Sequence, residues 1–150
     1  MTNKEIVLKA MRRQGRQIAE EVQAKAEELT GTELNGEKDY IPSFLVARAK
    51  KNMLKREVGF VCKSSAGRIV RLLQPYDSTV YTEEPEKLPA QWGFIWSKDP
   101  AHALPFVAIS TSPYMIGDCC TEGEDVCRST IDGNVWPPSE YAEGWEVILE

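Results

Sequence analysis

A chain of 150 residues with 42% hydrophobic and 27% charged side chains is sized for one ordinary domain, or for a helical arm carrying small modules. Its formal charge of −5 lacks the basic footprint of a nucleic-acid binder, and no apolar run reaches the ~20 residues of a membrane span, so neither nucleic acid nor membrane is expected as a partner. The N-terminus, MTNKEIVLKAMRRQGRQ, is charged throughout and has no leader-type apolar core, so the expectation is synthesis in the cytoplasm without a signal peptide.

The first predicted element is a long helix. Thr2 stands three residues before Glu5, the spacing of a capping box. Leu8, Met11, Ile18, Val22 and Leu29 occupy a and d positions of one heptad register, interrupted by Gly15 and Lys25. Gly31 stands where a helix closes. About 28 residues at ~1.5 Å each make an arm of roughly 40 Å. Small modules cannot cover that length. Residues 1–31 are therefore expected to be an arm that oligomerises or anchors the chain through those five apolar residues. The competing reading is a helix folded back on its own domain.

Residues 32–57 read as a connector, turn-rich over TELNGEKDYIP and then a short helix from Ser43 as N-cap. The basic run Arg48–Arg56 is read as a solvated face. From Val58 the pattern changes to short β runs: 58–62 and 68–73 around a Ser64-Ser65-Ala66-Gly67 turn, then 92–96, 106–110 and 117–129. The expected class is α+β, a long N-terminal helix followed by two small antiparallel β modules at 58–112 and 113–150. A three-residue loop at Glu122-Gly123-Glu124 would set Cys119 opposite Cys127, where a disulfide is conceivable in an oxidising medium. Reduced, buried thiols are the competing state. No CxxC knuckle or EF-hand spacing occurs, so neither metal nor cofactor is expected.

The two modules read as copies of each other. Val58-Gly59 matches Ile116-Gly117, Gly67 matches Gly123, Val70 matches Val126, and the run from Pro85 to Trp92 matches the run from Pro138 to Trp145. Tyr76, Tyr81 and Trp92, with Asp77 and Gln91, thus become counterparts of Trp136, Tyr141 and Trp145, with Asp132 and Asn134.

Tyr114, Gly117-Asp118, Gly123, Val126, Asn134-Val135-Trp136, Pro138, Tyr141 and Trp145 carry a family resemblance. Their order and spacing resemble the C-terminal modules of small virion-associated proteins from phages and prophages of Gram-positive bacteria, modules similar to chitin-binding type carbohydrate-binding modules. Leu72-Leu-Gln-Pro-Tyr76 and Leu88-Pro-Ala-Gln-Trp92 resemble the half-module that precedes this one in such proteins. The resemblance spans roughly residues 58–150. It departs at the second strand, where Val126 or Cys127 replaces an aromatic, and at Trp136-Pro137-Pro138 in place of a Trp-Pro pair.

The resemblance implies a non-catalytic virion protein of tail or tail tip, homo-oligomeric, whose partners are other virion proteins and cell-surface polysaccharide. The alternative is a structural decoration or fibre adaptor of head or tail. A cell-wall hydrolase's accessory module is a third reading. The glycan site implied is Trp136, Tyr141 and Trp145 with Asn134 and Asp132, and Tyr81 and Trp92 in the first copy. Flat aromatic faces pack on the C–H faces of sugars while amides and carboxylates meet the hydroxyls. Against this, Trp92 and Trp145 lie in predicted strands, where a core role competes. His102, the only histidine, has no nucleophile motif beside it, so no enzymatic activity is expected.

Overall fold

Capping and hydrophobic pattern set the helical start. The computed structural model describes residues 2–149, so Met1 and Glu150, the outer limits of the expected arm and second module, lie outside it. Helix α1 (Asn3–Lys25) opens on the Thr2/Glu5 capping box. It is shorter than expected, because Gly31 does not close it: α1 is capped at Ala26, and Thr30 and Glu33 form a second capping box that starts α2 (Gly31–Gly36). A Cβ on Gly31 would collide with the Trp96 carbonyl, so this glycine lets a helix start lie against the sheet. Helix α3 (Phe44–Lys50) starts at Ser43, whose hydroxyl accepts from the Val46 N–H 3.2 Å away.

Two small sheets follow, which makes the fold α+β. The first is antiparallel, with β1 (Val61–Lys63), β2 (Ile69–Leu72) and β3 (Trp92–Ile95) in that order. The second has the order β4 (Leu104–Pro105), β5 (Cys119–Glu122), β6 (Asp125–Ser129), β7 (Trp145–Leu149). It is mixed rather than antiparallel throughout, since β4 runs parallel to β5. The strand expected over 106–110 is irregular chain instead, and only Leu104 and Pro105 pair. At the β5–β6 turn Glu122 pairs with Asp125, so the loop has two residues and not three. Gly123 at φ +60° supplies the conformation that the first position of such a turn requires. Cys120, not Cys119, therefore faces Cys127, and all four cysteines are free and buried.

The duplication read in the sequence reappears in the backbone bonding with one correction: Val70 faces Cys62 as Cys127 faces Cys120, so the counterpart of Val70 is Cys127 and not Val126. Gly59 and Gly117 both have positive φ, and their N–H groups donate to Leu72 and Ser129 at 2.9 Å. The Leu72 and Ser129 N–H groups return to Phe60 and Asp118 at 2.8 Å, and those of Leu73 and Thr130 donate to Gln91 and Gly144. The Tyr81 and Tyr141 N–H groups bond the carbonyls of Asp77 and Pro137. Each module is thus a hairpin, a crossing loop with one tight turn, and a third strand begun by tryptophan.

The modules share one body. Phe94, Trp96, Tyr114 and Phe106 form a continuous stack with ring centroids 5.7, 4.2 and 5.3 Å apart. Arg68 donates to the Pro105 carbonyl at 2.7 Å, and the Cys119 N–H donates to Ser97 at 2.9 Å.

The second half of α1 belongs to that body. Val22 and Ala26 are buried with Leu34, Ile41, Val61 and Ile69, and Ile18 and Leu29 pack against them. The Gln23 amide donates to the Val61 carbonyl and accepts from the Val61 N–H, closing the free edge of β1 as a strand would. Ile18, Val22 and Leu29 are therefore occupied by their own domain, and the five-residue seam expected over 1–31 is not offered whole to other copies. Leu8 and Met11 remain exposed, Met11 at 62%.

Candidate functional site: an aromatic face on the second module

The loop between β6 and β7 is built around an asparagine. Asn134 is fully buried, and its backbone bridges Tyr114 while its amide donates to Ser129 Oγ and the Gly144 carbonyl at 3.1 and 2.9 Å. Its Oδ1 accepts from the Trp136 N–H, and the Trp145 indole N–H donates to the Trp136 carbonyl at 2.7 Å. Trp136 is thus fixed through its main chain from both sides. The residue is nonetheless left 48% exposed.

Tyr141 meets that ring edge to face, centroids 5.3 Å apart at 74°. Gly144 makes room for it, because a Cβ there would stand 2.7 Å from Tyr141 Cδ2. Glu122 accepts from the Ser139 N–H at 2.9 Å and ties this loop to the β5–β6 hairpin. Asp132 is exposed and accepts from the Ile116 N–H at 2.9 Å. Gly117-Asp118 is structural: the Asp118 carboxylate is buried, accepts from the Met115 N–H and pairs with Lys98 at 3.0 Å.

The site residues expected from the sequence therefore divide. Trp136 and Tyr141 come together at the surface, with Asp132 on a neighbouring turn. Trp145 is a correction, since its ring is buried against Phe106 and Tyr114. Asn134 is another, being an internal bracket whose polar groups are already engaged. In the first module Trp92 is fully buried between Phe44 and Tyr76, and its indole N–H donates to the Tyr76 hydroxyl at 3.0 Å. Tyr76, the counterpart of Trp136, is only 6% exposed. Tyr81 stands out at 51% but alone. Beside it in sequence, hydrogen bonds from Thr79 and then Asn52 hold the Asp77 carboxyl below its ordinary range.

Sequence reasoning overlooked Gly144 and Glu122. The Gly-Trp step was a signal for the first, because a glycine before a strand tryptophan marks a close approach.

The second module is acidic in composition. Over residues 113–149 eight carboxylates stand against one cation, Arg128. Burial raises the phenol of Tyr114 and the thiols of Cys119, Cys120 and Cys127, so these groups stay neutral at ordinary pH. Among the described residues no cluster of three His, Cys, Asp or Glu side chains could hold a metal ion, and no helix is long and apolar enough to cross a membrane. Compared with known proteins, the chain matches no family model, no curated protein and no solved structure.

Proposed function

We propose that the chain is a non-catalytic binding protein of a phage particle, in its tail or tail tip, which presents the Trp136–Tyr141 face of its second module to glycan on the host surface. The observation that carries this reading is the difference between equivalent positions in a duplicated module. Tyr76 is turned in and bonded to Trp92, whereas Trp136 is turned out with a tyrosine against its ring. An indole half in water, held by its main chain at both ends, is a preformed platform for the C–H face of a sugar. The virion attribution is supported by the Tyr114–Trp145 motif. One such face binds weakly, and repeated copies on a particle would raise retention through confinement.

The alternative is an adaptor whose sheet meets another virion protein, favoured by exposed Met115, Ile116 and Val147 on the same module. Retention on host cell-wall polysaccharide separates the two. Wild-type protein should be retained, and Trp136→Ala and Tyr141→Ala should each weaken retention about fivefold or more, the loss expected from ~1 kcal/mol of aromatic contact. Equal retention of all three proteins, or none of wild type, removes the glycan reading and leaves the adaptor.

A further inference from the structure

We infer that two copies of the chain pair through antiparallel α1 helices, the free tip of each helix lying in a cleft beside the buried half of the other. The inference is independent of the glycan reading.

Residues 3–14 of α1 are exposed throughout, Met11 and Val7 among them. At ~100° per residue Val7, Met11, Ile18 and Lys25 fall on one stripe of the helix. The apolar line that packs on the molecule's own core therefore continues about three turns beyond Ile18, uncovered. Beside the covered half is a cleft of about 470 Å³ between α1 and α2, walled by Ile18, Val22 and Leu29 and edged by Glu21, Glu33 and Glu37 against the single cation Lys25. It is an apolar groove with an acidic rim, the form that receives an amphipathic helix.

The tip has the matching character. Over residues 2–16 five cations (Lys4, Lys9, Arg12, Arg13, Arg16) stand against Glu5, in a chain of net charge −5. Between 17 and 25 the helix carries Glu20 and Glu21 against Lys25, and Glu27 and Glu28 stand in the turn that follows it. An antiparallel pair sets basic half on acidic half, whereas a parallel pair stacks like charge on like charge. A parallel coiled coil also lacks its seam, because Val22 is buried and Ile18 and Leu29 are half-covered by the chain's own core, leaving them as walls of a cleft and not as a continuous stripe, and three free turns alone are too few.

Tip and cleft lie on the same helix, so one two-fold axis near Gly15 satisfies both ends at once and doubles the buried surface. A Cβ on Gly15 would meet nothing within 4 Å, so the helix surface is clear where the two would cross.

Light scattering on the full chain should give a dimer mass at concentrations up to about 100 µM. Met11→Glu, an exposed position, should raise the dissociation constant more than about tenfold, while its circular-dichroism melt matches wild type at concentrations where both are monomeric. Orientation is read by cross-linking with a short bis-maleimide. A mixture of Lys4→Cys and Lys25→Cys chains should cross-link while neither does alone, the four native thiols being buried. A monomer at every concentration, a dimer undisturbed by Met11→Glu, or cross-linking of Lys4→Cys to itself would overturn the inference.

Discussion

A tryptophan's neighbours decide its role more than its presence does. Trp92 and Trp145 begin equivalent strands, lie in the core and hand their indole protons to internal oxygens. Truncating either to alanine removes a large ring and orphans an acceptor, an expected loss of about 3–5 kcal/mol. Trp136→Ala removes a half-solvated ring and should cost less than about 1 kcal/mol, so thermal melts of the three variants should separate widely. Ionisation adds a test at the same scale. Burial raises the thiols of Cys62, Cys119, Cys120 and Cys127 and the phenols of Tyr76 and Tyr114. An unfolded thiol loses its proton near pH 9, an unfolded phenol near 10, while the folded groups keep theirs. Above those values the folded state binds more protons than the unfolded one, so stability is complete below about pH 9 and declines as pH rises past it. The melting temperature measured from pH 7 to 11 should be level and then fall.

Secondary elements meet through side chains that imitate backbone. Gln23 completes the β1 edge from a helix, so Gln23→Ala should cost about 1–2 kcal/mol, read as a lower denaturant midpoint with an unchanged slope. The helix starts at Thr2 and Ser43, the α+β class and the repeat were all legible in the sequence, because caps, periodicity and glycine spacing are local signals. The end of α1 was misread. Gly31 suited both a helix end and a helix start; the Thr30/Glu33 capping-box spacing was the local signal for a start, and the Trp96 carbonyl, distant in sequence but against Gly31 in the fold, agrees with it. The candidate site was only half legible. Aromatic spacing identified Trp136 and Tyr141, but burial of Trp92, Trp145 and Asn134 depends on partners such as Phe44, Phe106 and Tyr114 that come from distant segments. The loop length between Glu122 and Asp125 shifted the cysteine register by one residue, which reverses the face a side chain takes.

Across the whole molecule α1 is two things joined end to end: an uncovered basic tip and a wall of the core. Removing residues 2–14 should leave the melting temperature within about 2 °C of wild type when both are measured dilute enough to be monomeric, since no side chain buried within the chain is lost. Removing residues through 31 strips Val22, Ala26 and Leu29 from Val61 and Ile69 and should leave a chain without a cooperative melt. The stack from Phe94 through Trp96 and Tyr114 to Phe106 spans both sheets, so they have no soft joint between them. A load applied at Trp136 would reach the core through its carbonyl, which holds the Trp145 indole, and Trp145 packs on Phe106 and Tyr114 at the end of that column. The two sheets would therefore take up such a load together, with no linker between them to reel out.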